Sequence, residues 1–214
     1  MDQLEEIAEQ IRSSFDARTS TRDQALTRAR AVTRFSAQSI RAAHRNERQK
    51  AQESIDEARQ LVELLQNELA DYPDLYYAGY TQDALKEFAE ANIVFSLLKD
   101  SVLPPPEELG LEYATYLKGL AEAVGELRRR IIDILKDGYS EEAVRLLNHM
   151  DDIYDILVTM DYPDAVTWGL RRLTDIVRSI TERTRGDVLI SKRQQQLEHY
   201  LKNVEEKLDR ATSS

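Results

Sequence analysis

Apolar residues recur along this chain at intervals of three and four, the period of one helix face. From Asp2 to about Ala17 they are Leu4, Ile7, Ala8, Ile11 and Phe15, which predicts a short amphipathic helix. Thr19, Ser20 and Thr21 then offer cap positions for the next one, with Asp23 and Gln24 in its first turn. A longer helical pattern runs from Arg22 towards Leu69, carried first by Ala25, Leu26, Ala29, Val32, Ile40 and Ala43. Its second half rests on Ile55, Ala58, Leu61, Val62, Leu65 and Leu69. No Gly or Pro falls between Met1 and Asp71, so the pattern allows either one long helix or two that break near Asn46.

Tyr72-Pro73-Asp74 stops this pattern, because a residue before proline is pushed out of helical geometry. The next helix is expected over Tyr77 to Lys99, with Gly79 and Thr81 near its start and an apolar stripe of Ala84, Leu85, Phe88, Ala91, Phe95 and Leu98. Pro104-Pro105-Pro106 forms a stiff connector that no helix interior tolerates. A helix from Tyr113 to Lys136 follows, striped by Leu117, Leu120, Val124, Leu127, Ile131 and Leu135, with Gly138 as its C-terminal cap. Ser140-Glu141-Glu142 opens another, reaching Met160, and Tyr162-Pro163-Asp164 ends it. One more runs to about Thr184, Gly186-Asp187 punctuates, and Val188 to Leu208 closes the fold before a polar tail at about 209–214. No window alternates as a strand does. The reading is all-α, a single domain spanning residues 1–214, with six or seven antiparallel helices. Asp71-Tyr72-Pro73-Asp74 recurs as Asp161-Tyr162-Pro163-Asp164, but the flanks differ, so these are two similar helix stops and not a duplicated domain.

Composition agrees with a packed helical body: 42% of residues are hydrophobic and 32% charged, and Gly and Pro are few. There is no cysteine, which excludes disulfides, thiolate metal sites and a cysteine nucleophile. No apolar run approaches the roughly 20 residues that cross a bilayer, and the first residues, MDQLEEIAEQ, are acidic where a secretory signal is basic and then apolar. The expectation is a soluble, cytoplasmic protein with no membrane partner.

The net charge of −10 argues on its face against a nucleic-acid partner, but its distribution argues otherwise. Between residues 12 and 50 the basic residues are Arg12, Arg18, Arg22, Arg28, Arg30, Arg34, Arg41, Arg45, Arg48 and Lys50, against Asp16, Asp23 and Glu47. That is +7 for this region and −17 for the rest. A basic element on an acidic body is the asymmetry of a phosphate-binding surface; it is equally that of an arginine-rich exterior helix pairing with acidic neighbours.

Two of the expected helices each carry a pair of glutamates within one turn: Glu87 and Glu90 on the first, Glu122 and Glu126 on the second. Side by side, such helices could bring four carboxylates together as a site for a hard divalent cation. The same pattern suits ordinary solvated carboxylates, since Glu87 falls at the edge of its helix's apolar stripe, Glu90 well outside it, and Glu122 and Glu126 roughly opposite theirs. An all-carboxylate site favours Mg²⁺ or Mn²⁺ over Zn²⁺ or Fe. No Gly-rich phosphate loop, dinucleotide fingerprint or nucleophile elbow occurs, and none of His44, His149 and His199 sits three residues after a glutamate as di-iron bundles require.

Taken in order, ALTRARAVTRFSAQSIRAAHR from Ala25 to Arg45, DALKEFAEANIVFSLL from Asp83 to Leu98, YLKGLAEAVGELRRR from Tyr116 to Arg130, and the region of Tyr154, Tyr162-Pro163 and Leu170 to Val177 resemble the translin family. The likeness is greatest to its archaeal members and to translin-associated factor X, and it covers nearly the whole chain. It implies an all-α bundle of about seven helices, assembly into hollow octamers, and binding of RNA or single-stranded DNA. For the factor X type it implies a metal-dependent endoribonuclease. That type's E-x-x-E falls on Glu87 and Glu90, and its D-x-x-x-E falls on Glu122 and Glu126, so the resemblance implies that these four hold Mg²⁺ or Mn²⁺ and carry catalysis. Position 122 is Glu where the family usually has Asp, which keeps the charge and moves the carboxylate by about one methylene. Arg22, Arg28, Arg30, Arg34, Arg41 and Arg45 are the candidates to grip the RNA backbone. The alternative is a non-catalytic RNA or single-stranded DNA binding scaffold like translin itself, for which a complete acidic quartet would be unnecessary.

Overall fold

The computed structural model describes residues 2–212, and among these the only regular secondary structure is helix. Six long helices carry the fold: α1 (Asp2–His44), α2 (Arg48–Glu68), α4 (Gly79–Lys99), α6 (Tyr113–Leu135), α7 (Glu141–Val158) and α9 (Leu170–Thr212). Three single-turn helices lie in the connections: α3 (Pro73–Tyr76), α5 (Pro106–Leu109) and α8 (Asp164–Thr167). The two Tyr-Pro-Asp stops lead into α3 and α8. The all-α expectation holds.

The question of one helix or two before Leu69 is decided at Asn46, which takes the left-handed conformation (φ 59°). Its N–H bonds to Ala43 O (3.0 Å) and that of Glu47 to Ala42 O (2.9 Å), the paired closure that ends a helix on a left-handed residue. The break expected at Thr19–Thr21 does not occur, and α1 runs straight through it. Thr21 does not act as a cap, since its hydroxyl donates back to Ala17 O (3.1 Å), as a threonine inside a helix does.

The chain forms two compact units that divide within α6, residues 1–119 and 120–214. In the first, α1 from Ala25 onward packs against α2 and α4. Small residues allow the helices to approach closely: Ala42, Ala43 and Ala51 form one buried cluster, bordered by Phe95 and Leu98. Ala25 joins Leu65, Leu69 and Leu75 in another, under Tyr72, Tyr76 and Tyr80. Helix α4 is covered on most sides, with thirteen buried residues between Thr81 and Leu97.

In the second unit α7 packs against α9, and Leu146, Met150, Ile153 and Leu157 of α7 and Leu170, Val177 and Val188 of α9 are buried. Ser140 caps α7 by accepting from the Glu142 N–H. Ion pairs hold the unit at its edges, Arg130 to Glu142 (3.1 Å) and Arg185 to Asp151 (2.6 Å). Gly186-Asp187 does not punctuate as expected. A helix-interior glycine costs only about 1 kcal/mol, and Arg128 holds Asp187 at 2.9 Å, so α9 continues unbroken.

Two expectations about the ends are corrected. Val188 to Leu208 does not close the fold, because α9 beyond Val188 is exposed along its length. Leu4, Ile7, Ile11 and Phe15 of α1 are likewise exposed, so the amphipathic stripe there covers nothing within the chain. Of the polar tail, residues 209–212 remain helical and Ser213 and Ser214 lie outside the described residues. Among the described residues no helix is long and apolar enough to cross a membrane.

Candidate metal centre and basic face

The start of α4 is fixed by side chains that reach back to the preceding turn. The Thr81 hydroxyl donates to Leu75 O (2.8 Å) and the Gln82 amide to Tyr76 O (2.9 Å). Thr115, near the start of α6, donates its hydroxyl to Gln82 Oε1 (2.7 Å), and all three side chains are buried. This bond ties the beginnings of α4 and α6 together. Further along, Gly119 brings the two backbones into contact: a Cβ placed there would lie 2.6 Å from Ala89 Cβ and 3.0 Å from both Glu90 N and Lys86 O.

That approach governs where the carboxylates fall. Glu87 and Glu90 project from the stretch of α4 that Gly119 touches, and Glu122 follows Gly119 by one turn of α6. Each of the three offers a carboxylate oxygen, and these oxygens all lie within 4.8 Å of one another. Glu90 is only 8% exposed, and the Glu87 side chain 29%. The reading that put Glu90 well away from the buried stripe is therefore corrected. A stripe argument assumes one solvent face, and α4, covered on most sides, has almost none.

Glu126 is on the same helix as Glu122 but stands outside this group of three, with Arg129 at 3.6 Å. Lys86 was not a sequence candidate. Its ammonium lies 3.6 Å from Glu87 and its side chain is 14% exposed. No motif marks it; only the burial of α4 does. Three carboxylates from two helices form an all-oxygen, hard donor set, which fits Mg²⁺ or Mn²⁺ and not metals that prefer imidazole or thiolate.

The six arginine candidates separate by face. Arg30, Arg34, Arg41 and Arg45 follow at intervals of four, seven and four, which puts them on one side of α1 and its C-terminal end, all exposed. The Arg34 guanidinium stacks over Phe35, 4.9 Å from the ring centroid. Arg45 pairs with Glu47 (3.1 Å) and Arg22 with its neighbour Asp23 (3.1 Å). Arg28 points elsewhere and forms an ion pair with Glu68 of α2.

No protein-family model matches the chain. It is 32% identical over 188 residues to the uncharacterized protein MJ0175 of Methanocaldococcus jannaschii, an alignment that covers 87% of this chain and 83% of that one. Among solved structures it is similar to AfC3PO in complex with duplex RNA, with a TM-score of 0.82 and 28% identity over 88% of this chain and 97% of that one. A further crystal structure of AfC3PO gives a TM-score of 0.81, also at 28% identity, over 88% and 98%. Apo-NeC3PO, at 22% identity, shares the fold, with a TM-score of 0.78 over 86% and 96%.

Proposed function

The chain belongs to the translin family, and from that premise we propose that it is a Mg²⁺- or Mn²⁺-dependent endoribonuclease acting as a homo-octamer. The observation that carries the proposal is the convergence of Glu87, Glu90 and Glu122 within 4.8 Å. A solvated helix surface has no reason to gather three like charges, one of them nearly buried, whereas a cation-binding site requires it. RNA as the ligand is supported by the relative AfC3PO, whose structure holds duplex RNA. Single-stranded DNA is a second ligand consistent with the family.

Glu87, Glu90 and Glu122 would hold the ion, with Glu126 further along α6 completing the proposed set. The chemistry such an ion supplies when bound is activation of a water and stabilisation of charge on a phosphate. The chain's own residues orient the rest. Lys86 steadies Glu87 and brings a positive charge to the edge of the acidic group. The α1 face of Arg30, Arg34, Arg41 and Arg45 grips the RNA backbone, whereas Arg28, engaged with Glu68, serves the packing of α1 on α2.

The test is cleavage of a short labelled RNA by the purified protein. Cutting is expected with Mg²⁺ or Mn²⁺, none with EDTA, and none from the Glu87→Gln and Glu122→Gln variants. RNA that binds but stays intact with either metal would instead make this a binding scaffold. The basic face has its own test. Combining Arg30→Ala, Arg34→Ala and Arg41→Ala should reduce the slope of log affinity against log salt by about 2 for single-stranded RNA. The cutting rate at saturating RNA should stay close to wild type, and an unchanged salt slope would remove these arginines from the interface.

A further inference from the structure

Inside the first unit a cavity of about 310 Å³ opens between α2, the second half of α4 and the segment that joins α4 to α5. That segment contains the proline connector, and side chains hold it in place. The Arg59 guanidinium donates to Glu108 O (3.0 Å), the Gln66 amide to Gly110 O (2.6 Å) and the Tyr116 hydroxyl to Pro104 O (3.0 Å). Leu103, Pro104 and Pro105 therefore form a fixed apolar wall, with Ile55 of α2 and Phe95 of α4 also in the lining.

The polar lining is cationic in a chain whose net charge is −10. Arg59 is part-buried and Lys99 stands exposed at the rim, and among the described residues neither has a carboxylate partner. A part-buried guanidinium ordinarily pairs with an acid, because desolvating a charge without a partner is costly. Arg59 is instead positioned by a neutral carbonyl and by the Phe88 ring, 5.7 Å from its centroid, which leaves most of its N–H donors unused. The Lys99 ammonium lies 5.5 Å from the centre of the Phe95 ring. Deeper in, Asn92 and Ser96 are only 5% and 7% exposed. Asn92 gives an N–H to Phe88 O (2.8 Å), so its Oδ1 is left for a ligand. The carbonyls that end α4 and would repel an anion are occupied, Ser96 O by the Ser101 N–H (3.0 Å) and Leu97 O by that of Asp100 (3.4 Å). Glu108 is the acidic residue of the lining, and it is exposed.

We propose that this cavity binds a small organic phosphate monoester. Its phosphate is held by Arg59 and Lys99, its organic part lies along the proline wall and Phe95, and Asn92 Oδ1 accepts from a ligand N–H. A guanidinium and an ammonium together match a phosphate dianion, whose oxygens take several charge-assisted hydrogen bonds at once. The volume is at the small end of ligand pockets, room for one nucleotide-sized molecule and not for a stretch of polymer. Arg59 also serves the fold, since it satisfies a carbonyl of the short α5, but that bond uses one donor and needs no charge.

Calorimetric titration of the full chain at constant ionic strength, in EDTA, tests this with adenosine monophosphate, inorganic phosphate and adenosine. The nucleotide should bind, phosphate more weakly, and adenosine not measurably. Lys99→Gln should weaken nucleotide binding by at least about tenfold. Ser101→Asp sets a carboxylate at the rim while keeping the backbone bond that ends α4, and should abolish binding. Glu108→Gln should tighten it, because the opposing charge goes and the carbonyl that Arg59 uses stays. All three positions are exposed, so melting temperatures should match the wild type. Lys202→Gln removes the same charge from the far end of α9 and should change nothing. The proposal is overturned if neither the nucleotide nor phosphate binds the wild-type protein, or if adenosine binds as well as the nucleotide. Affinity that Lys99→Gln and Ser101→Asp leave unchanged would also overturn it. Binding that survives Lys99→Gln but is lost in the combined Arg30→Ala, Arg34→Ala and Arg41→Ala protein would assign the phosphate to the α1 face instead. No RNA or divalent metal is present, so the outcome is separate from that of the nuclease reading.

Discussion

Replacing Gly119 by alanine is expected to lower the melting temperature, whereas Gly125→Ala, further along the same helix, should raise it. Both glycines lie inside α6, where glycine is less favourable than alanine by about 1 kcal/mol. They differ in what a methyl group would meet. At Gly125 nothing lies within 4 Å, so the added Cβ only restricts the unfolded chain and improves helix propensity. At Gly119 the same Cβ would lie 2.6 Å from Ala89 Cβ and 3.0 Å from backbone atoms of Lys86 and Glu90. Backbone cannot rotate aside as a long side chain can, so α6 must shift against α4. Overpacking of this kind costs about 1–3 kcal/mol, or roughly 2–12 °C for a chain of this length. Glu122 lies one turn beyond Gly119 and Glu90 directly beside it. The shift therefore also spreads the carboxylates, and RNA cleavage should fall more than RNA affinity does. A Gly119→Ala protein that melts with the wild type would mean that the helices are less closely packed than the 2.6 Å approach implies.

These two glycines illustrate what a sequence can carry. Hydrophobic period and proline stops place α4, α6 and α7 to within a few residues, because those signals are local. The break at Asn46 was narrowed to a region but not decided, since asparagine in the left-handed conformation is permitted and not compelled. Thr19 to Thr21 read as a cap and Gly186 as a stop, yet in each case the helix continues. A hydroxyl can bond to the preceding turn as well as cap, and one interior glycine is outweighed by the packing and ion pairs around it. The four glutamates were found by their spacing. Which of them converge was not legible, because it depends on the distance between two helices, and that distance is set at Gly119. The burial of Glu90 does not show in the pattern for the same kind of reason. One face of α4 looks polar, but the residues that cover it come from elsewhere in the chain. The far end of α9 is the converse case: its apolar stripe reads as a face that closes the fold, yet beyond Val188 the helix continues unbroken from Leu170 and its apolar residues stay exposed.

Among the carboxylates, Glu90→Gln should be the most damaging single change to metal-dependent activity. Gln fills the same volume and keeps the side chain's capacity for hydrogen bonds, so the packing of α4 is retained and what is lost is the charge. At Glu90 that loss is felt most, because the group is nearly buried and water cannot take its place beside a cation. Two readouts separate metal binding from turnover. In the wild-type protein, Mg²⁺ or Mn²⁺ at a hundred times its dissociation constant should stabilise the fold by about 2.7 kcal/mol, seen as a rise of roughly 5–11 °C in Tm. In Glu90→Gln that rise should be nearly absent at the same concentration, and cleavage should drop by at least about a hundredfold. Glu126→Gln provides the comparison. Glu126 lies outside the group of three and beside Arg129, so its loss should leave most of the thermal shift in place even where it slows cutting. If Glu126→Gln and Glu90→Gln abolished the shift equally, the ion would have to sit further along α6 than the three converging oxygens suggest. If neither did, the acidic group would be a feature of packing, and the RNA-binding scaffold would be the better account of the chain.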